Sequence, residues 1–247
     1  MGKHNYSIVI TGEWPGAGQS TTASLLAGKL HFTRVYAGFL FRKFAFVWQQ
    51  EKPHHTWAEF EHLFATNQKN LDHYHFTEAD FNEKTLHAWQ HQLKSVNTPD
   101  VWDKIIDRQS LLALQKPGVV VEAKVGVLLD KTQLLPPKKV SHPIYKFLLT
   151  CPPEISSHRV IKRAIENGEL SPVDQNNPEY TELVRQTTTE TISRHLRDWE
   201  RYEKIYHLYR SDIYKKDIIK VSTAERSEVE VVDAIVNIIS QKQAAAH

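Results

Sequence analysis

The stretch IVITGEWPGAGQSTTASLLAGKL, Ile8–Leu30, combines an apolar run, a glycine-rich turn and a helical pattern. Residues 7–11 form a β-branched run that is bounded by Gly12, which is typical of a buried parallel strand. Glycines follow, and residues 20–30 have the character of a helix. A strand, a glycine-rich turn and a helix in this order form the context of a phosphate-binding loop, whose consensus is G-x-x-x-x-G-K-[ST].

The loop departs from that consensus at two positions. Glu13 stands where the first glycine belongs, and Gln19 follows Gly18 where lysine belongs. The Gln19 amide donates hydrogen bonds but brings no positive charge to the β- and γ-phosphates of ATP. An inward-facing Glu13 carboxylate would repel them. Loss of one preorganised charge-stabilising donor typically costs on the order of 10²–10³ in rate.

The residues whose backbone would bind phosphate are nevertheless present in this loop. Such a loop works through backbone N–H groups that converge at a helix N-terminus, together with the helix dipole. The residues predicted to bind ATP phosphates are Gly16, Ala17, Gly18, Gln19, Ser20 and Thr21. The Ser20 hydroxyl is the predicted protein ligand of Mg²⁺. Taken alone, the stretch fits a glycine-rich turn without a ligand equally well.

Composition bounds the class of protein. The chain has 247 residues, 40% of them hydrophobic and 24% charged, which is typical of a soluble globular protein. The net charge of +2 gives no indication of nucleic-acid or membrane binding, and we expect neither. The single cysteine, Cys151, excludes an internal disulfide and a cysteine-rich zinc site. With no secretion signal in the sequence, we expect a cytoplasmic protein.

Short apolar strands alternate with helical segments along the chain. Strands are expected at 7–11, 33–37, 118–122, 145–150 and 217–221. This alternation predicts an α/β fold with three layers and a parallel sheet of about five strands. We expect one domain over 1–247, with a helical insert at 50–115 and a lid with its helices at 152–209. The polar segment 168–178 is expected to be mobile, and a long helix is expected to follow it to about residue 209. The last helix is expected at 227–239, with Ser227 and Glu230 as a capping box, and residues 241–247 are expected to fray.

Five further segments resemble, in order, those of the cytidylate kinase family, especially its archaeal-type members, among the P-loop nucleoside monophosphate kinases. The order and rough spacing match over most of the chain, except in 50–98. The segments are AGFLFR (37–42), DKIIDRQ (103–109), VVEAK (120–124), HRVIKRA (158–164) and RHLRDWERYEKIY (194–206).

The resemblance implies a P-loop kinase fold and transfer of the ATP γ-phosphoryl group, with Mg²⁺, to a (deoxy)cytidylate-type or related small acceptor. In the family, the arginine at the position of Arg42 holds the acceptor phosphate. Lys124 stands where the family has a second acceptor-binding arginine, and it keeps the charge but loses the bidentate fork. Phe39 replaces an acidic residue. The acceptor-binding residues implied are therefore Phe39, Arg42 and Lys124.

The resemblance also implies catalytic arginines in a lid. Arg159 and Arg163 are four residues apart and share a helix face, as do Arg194, Arg197 and Arg201. With Gln19, the catalytic residues implied are Arg159, Arg163 and Arg194. The alternative is that these arginines lie on solvated helix faces and pair with neighbouring carboxylates.

The insert is rich in histidines and aromatic residues. The pair His87 and His91 has a spacing that zinc sites use, but no H-E-x-x-H motif surrounds it, so a metal site is disfavoured there. The aromatic residues are expected to form the core of a helical insert: Trp48, Trp57, Phe60, Phe64, Trp89 and Trp102.

Three functions remain open from the sequence. The chain is an active kinase in which Lys124 or a lid arginine offsets Gln19, or a catalytically impaired pseudokinase that binds nucleotide or a protein partner. The third possibility is that Glu13 closes the phosphate site and that the chain is a scaffold without a bound nucleotide.

Overall fold

Five parallel strands form a single sheet in the order β2-β3-β1-β4-β5. The computed structural model describes residues 5–60, 62–63, 99–131 and 140–245. The predicted α/β fold with a five-stranded parallel sheet is confirmed. The strands are β1 (Ser7–Gly12), β2 (Thr33–Tyr36), β3 (Val119–Glu122), β4 (Ile144–Thr150) and β5 (Ile219–Ser222).

Helices cover both faces of this sheet. In chain order the described helices are α1 (Gln19–Leu30), α2 (Ala37–Glu51), α3 (Trp57–Phe60), α4 (Pro99–Ala113), α5 (Pro153–Glu166), α6 (Pro178–Tyr206) and α7 (Glu228–Ala244). Two 3₁₀ segments, Gly126–Lys131 and Arg210–Tyr214, were not expected from the sequence.

The central strand β1 is buried along its whole length, and its side chains contribute to an apolar core on each face of the sheet. Ile8 and Ile10 pack with α1 and α7 on one face of the sheet. Val9 points to the other face, where α4 and α6 pack. This period-two alternation of apolar side chains between two covered faces is what a three-layer fold requires.

A third apolar cluster joins α2, α3 and α4 beside the sheet. Trp48 and Phe60 are both buried in it, as expected for the core of a helical insert, and their rings meet edge to face with centroids 5.0 Å apart. The side chains of Trp57, Phe64, Trp89 and Trp102, and the histidines His87 and His91, lie outside the described residues.

Two helix ends differ from the sequence-based expectation. The long helix α6 was expected to reach residue 209 but ends at Tyr206, because His207 adopts a left-handed conformation (φ 55°) that stops it. The last helix begins with the expected capping box of Ser227 and Glu230 and continues to Ala244, so the predicted helix end at 239 was wrong. Among the described residues, every helix is too short or too polar to cross a lipid bilayer.

Candidate functional site

The glycine-rich loop lies at the carboxyl ends of the strands, where ligands bind in open parallel sheets. β1 ends at Gly12 and α1 begins at Gln19, so the loop is the strand–turn–helix that the sequence predicts. Gly16 and Gly18 have φ angles of 88° and 90°, a left-handed region that favours glycine. A Cβ on Gly16 would also lie 2.6 Å from the Ser156 carbonyl oxygen. The loop can therefore hold this shape only with glycine there.

The backbone of the loop leaves donors at the start of α1. Gly18 is the N-cap, and Thr22 N–H donates to its carbonyl oxygen at 2.9 Å. The N–H groups of the first helical turn have no intrahelical acceptor and carry the positive end of the helix dipole. Ala17 differs, because its N–H donates to the Trp14 carbonyl oxygen at 3.1 Å inside the loop. An anion would thus meet the N–H groups of Gln19, Ser20 and Thr21 more readily than that of Ala17.

A cavity of about 380 Å³ opens on one side of the loop; its lining includes Gly16, Gly18, Thr21, Arg159, Arg163 and Thr223. Arg159 is fixed in its wall: its guanidinium donates to the Thr223 hydroxyl at 3.0 Å and to the Thr223 carbonyl oxygen at 2.5 Å. The Thr223 hydroxyl in turn donates to the Ala17 carbonyl oxygen at 3.1 Å. This chain of hydrogen bonds ties α5 to the end of β5 and to the loop.

A second cavity, of about 200 Å³, lies on the other side of the loop. It is lined by Gly12, Glu13, Trp14, Pro15, Gln19, Lys124, Arg194 and Asp198. The structure therefore divides the predicted site residues between two spaces. Arg159 and Arg163 share one with the glycines of the loop, and Lys124 and Arg194 share the other with Gln19.

Gln19 and Lys124 both line the second cavity. The Gln19 side chain folds back over the strand end, since a Cβ built on Gly12 would lie 2.1 Å from its Oε1. The Lys124 ammonium donates to Asp198 Oδ2 at 2.6 Å. Burial lowers the pKa of Lys124, while the Asp198 carboxylate acts against that shift. This cation is largely desolvated and held by one carboxylate.

Glu13 turns away from the glycines. Its Oε1 accepts a hydrogen bond from the Tyr214 hydroxyl, and Glu13 lines the second cavity rather than the first. Burial, followed by the hydrogen bond to Glu13, raises the pKa of the Tyr214 phenol. The carboxylate therefore does not fill the hollow formed by Gly16 and Gly18.

Trp14 anchors the same part of the loop to α6. Its ring lies 4.5 Å from the ring of His195, centroid to centroid, and the Arg210 guanidinium lies 5.0 Å from its centroid. His195 is fully buried and accepts a hydrogen bond from Trp199 Nε1 at 3.1 Å. Burial, with smaller contributions from Lys124 and Arg210, lowers the pKa of His195 to about 4. His195 is thus a neutral packing partner of the loop at neutral pH.

Ser20, the predicted magnesium ligand, contacts a carboxylate that the sequence reasoning did not single out. Its hydroxyl donates to Glu122 Oε1 at 2.5 Å, and Arg34 donates to Glu122 Oε2 at 2.8 Å. Mg²⁺ prefers oxygen ligands and usually takes one or two from the protein, with phosphates and waters completing the shell. The Ser20 and Glu122 oxygens fit that requirement. No group of three or more His, Cys, Asp or Glu residues in the described parts of the chain is placed to hold a metal by itself.

Two of the predicted acceptor residues lie on α2, away from both cavities. The Phe39 ring packs against Tyr36 with centroids 5.7 Å apart, and Arg34 lies 4.3 Å above the Tyr36 ring. Phe39 is therefore connected to Glu122 through Tyr36 and Arg34. Arg42 is half-buried three residues further along the helix. Neither Phe39 nor Arg42 is among the residues that line the two cavities, whereas Lys124 lines the second.

Several residues around the loop were missed from the sequence: Arg34, Glu122, Asp198, Tyr214 and Thr223. Glu122 and Thr223 had a usable signal, because each is polar and ends or directly follows a parallel strand, at the edge where ligands bind. Tyr214 had none, since its contact with Glu13 joins residues 201 positions apart.

No protein-family model matches the chain. Two cytidylate kinases of Methanococcus maripaludis, from strains C7 and C5, are each 25% identical to it over 213 residues, which cover 86% of this chain and 86% of each relative. Among solved structures, a gluconokinase from Sinorhizobium meliloti 1021 covers 100% of both chains at 14% identity, with a TM-score of 0.44. An uncharacterized protein from Eubacterium ventriosum covers 96% of this chain and 99% of its own at 13% identity, with a TM-score of 0.46. The similarity to the cytidylate kinases agrees with the resemblance of the five segments.

Proposed function

We propose that the chain is a nucleoside monophosphate kinase of the P-loop type, which transfers the γ-phosphoryl group of ATP to a cytidylate-type or related small acceptor. The observation that carries this proposal is the position of the glycine loop between two cavities, each lined by cationic side chains from other elements. The similarity to cytidylate kinases over most of both chains supports the substrate class.

The loop would bind the phosphates between Gly16 and Thr21, chiefly through the backbone N–H groups of Gln19, Ser20 and Thr21. Arg159 and Arg163 would contribute positive charge from the first cavity, and Arg194 from the second. Phosphoryl transfer depends almost entirely on positioning and on such charge. An oxygen of the acceptor monophosphate forms a bond to the γ-phosphorus while the bond to the β–γ bridging oxygen breaks. The products are ADP and a nucleoside diphosphate.

Ser20 and Glu122 would hold Mg²⁺. When bound, this ion neutralises charge on the β- and γ-phosphate oxygens. Ser20 and Glu122 orient one another by their hydrogen bond, and Arg34 fixes the other carboxylate oxygen of Glu122. The two protein oxygens are thus held at the loop before any ligand arrives.

The acceptor would bind beside Phe39 and Arg42 on α2, the helix that leads into the insert at 50–115. The segment 152–209 would act as the lid, with Arg159 and Arg163 on its first helix and Arg194 on its second. Arg159 already touches the loop through Thr223. Closure of the lid would bring the more exposed Arg163 and Arg194 towards the phosphates.

The test is turnover with MgATP and a panel of nucleoside monophosphates, measured as ADP formed. We expect cytidylates to be preferred. Arg159→Met should raise the KM for ATP, whereas Arg185→Met, which removes an exposed arginine paired with Glu182 on α6, should not. Absence of ADP formation with every acceptor would contradict the kinase proposal.

The second candidate is a pseudokinase that binds nucleotide or a protein partner without turnover. It is favoured by one observation: the Gln19 amide lies over Gly12, where it brings no charge to the loop. If the chain bound MgATP saturably but formed no ADP with any acceptor, this alternative would be favoured.

A further inference from the structure

We propose that Lys124 supplies, from the end of β3, the positive charge that the loop lacks at Gln19, and that it contacts the β- and γ-phosphates of the bound nucleotide. This inference rests on the proposed function. It gives Lys124 a different role from the one the family resemblance implies, which is a contact with the acceptor.

The register of the sheet brings Lys124 next to the loop. β1 and β3 are parallel neighbours in which Ile10 is paired with Glu122. Gly12 and Lys124 each follow two residues later, at the same edge of the sheet. The Thr11 hydroxyl donates to the Lys124 carbonyl oxygen at 3.1 Å, which holds the chain after β3 against the end of β1.

The Lys124 side chain and the residue at the lysine position of the consensus line the same space. Gln19 and Lys124 both line the 200 Å³ cavity, together with Gly12 and Arg194. Gln19 is folded against Gly12, and the cationic side chains of Lys124 and Arg194 line the same cavity. A charge that normally comes from the first turn of α1 can therefore come from the end of β3.

Asp198 holds Lys124 at this position and can release it. The pair is joined at 2.6 Å, with side chains that are 20% and 22% exposed. Asp198 also pairs with Arg201 at 3.4 Å. When Lys124 turns to a phosphate, the carboxylate keeps a cationic partner and is not left buried and unpaired, which would be costly. Asp198 is thus a positioning residue for Lys124.

The test is the affinity for MgATP without any acceptor, measured by calorimetry on the intact chain. We expect Lys124→Met to weaken binding by about 10- to 100-fold, the equivalent of losing a hydrogen bond to a charged group. Lys124→Arg should stay within a few-fold of the wild type. The matched control is Lys29→Met. Lys29 lies at the far end of α1 from the loop and is paired with Asp233.

A double variant that moves the lysine from position 124 to position 19 makes the test specific. Adding Gln19→Lys to Lys124→Met should restore most of the lost affinity, because it returns the charge to the same cavity. In the wild type the same change should add little, since the charge is already present. Lys124→Gln, which can still donate to Asp198, replaces Lys124→Met if the latter lowers the melting temperature.

Two results would overturn the inference and leave the proposed function intact. In the first, Lys124→Met and Lys124→Gln bind MgATP as the wild type does and raise only the KM for the acceptor. In the second, Gln19→Lys restores nothing. If the wild type itself binds no MgATP, both the inference and the proposed function fail.

Discussion

The hydroxyl of Ser20 and the carboxylate of Glu122 are joined by a hydrogen bond of 2.5 Å, although 102 residues separate them in the chain. The pairing follows from the sheet, since α1 starts just after β1 and Glu122 ends the neighbouring strand β3. A hydroxyl and a carboxylate at the start of the helix that follows the glycine loop provide oxygens for a cation that accompanies phosphates.

Glu122→Gln should raise the Mg²⁺ concentration needed for half-maximal turnover by about 10- to 100-fold, the usual effect of losing a group that supports a metal site. The amide can still accept from Ser20, so the fold should be kept. Titration of activity with Mg²⁺ at saturating ATP measures the change. Glu182→Gln, which removes an exposed carboxylate on α6, is the control and should leave the curve unchanged. If Glu122→Gln left the Mg²⁺ titration curve unchanged, Glu122 would not be part of the metal site.

Tyr214→Phe should lower the free energy of unfolding by about 1.5–3 kcal/mol, because it removes a hydrogen bond to the Glu13 carboxylate. Urea denaturation of the wild type, Tyr214→Phe, Glu13→Gln and the double variant completes a thermodynamic cycle. We expect a coupling of at least about 0.5 kcal/mol between the two residues. Strict additivity would mean that the loop is not anchored through this contact.

His195 should make stability fall in mild acid. Burial lowers its pKa from 6.5 to about 4, so the unfolded chain binds a proton between these values that the folded chain does not. The contribution of neutral His195 to the free energy of unfolding is fully present above about pH 6.5. It is lost as the pH falls towards 4, and the loss amounts to roughly 3 kcal/mol at most. Urea midpoints at pH 7.5 and 5.0 measure the loss.

The control for this pH effect is His195→Gln, which keeps an acceptor for Trp199 but does not titrate. It should show a smaller loss between pH 7.5 and 5.0. Some loss should remain, because burial also lowers the pKa of His142. An equal loss in both proteins would show that His195 is not the titrating group.

Segment 168–178 should exchange its backbone amide hydrogens faster than the two helices that flank it. Its hydrogen bonds are local, such as that from the Asn176 N–H to the Asp174 carboxylate at 3.0 Å, and most of its side chains are exposed. Lid segments need such low local stability. Hydrogen exchange with and without MgATP measures this, and we expect protection of the flanking Arg163 region on binding. Slow exchange throughout the segment would contradict the lid.

Local patterns predicted the sheet well, because buried parallel strands read as short β-branched runs. The capping box at Ser227 likewise marked the start of α7, whereas α1, α2 and α5 begin without a side-chain cap. The site was predictable only where a motif is contiguous, as from Gly16 to Thr21. The contacts of Glu13 with Tyr214 and of Lys124 with Asp198 join distant segments, so no local pattern shows which of the possible partners each charge takes.

Calorimetric titration of the wild type with MgATP, followed by cytidine monophosphate, tests whether the glycine loop binds a nucleotide beside a separate acceptor site. A loop open on both sides, with Glu13 turned to Tyr214, predicts saturable MgATP binding and then binding of the monophosphate at a separate site. No heat of binding with MgATP, in the wild type and in the Gln19→Lys, Glu13→Gly double variant alike, would contradict the account and leave the loop as a turn without a ligand.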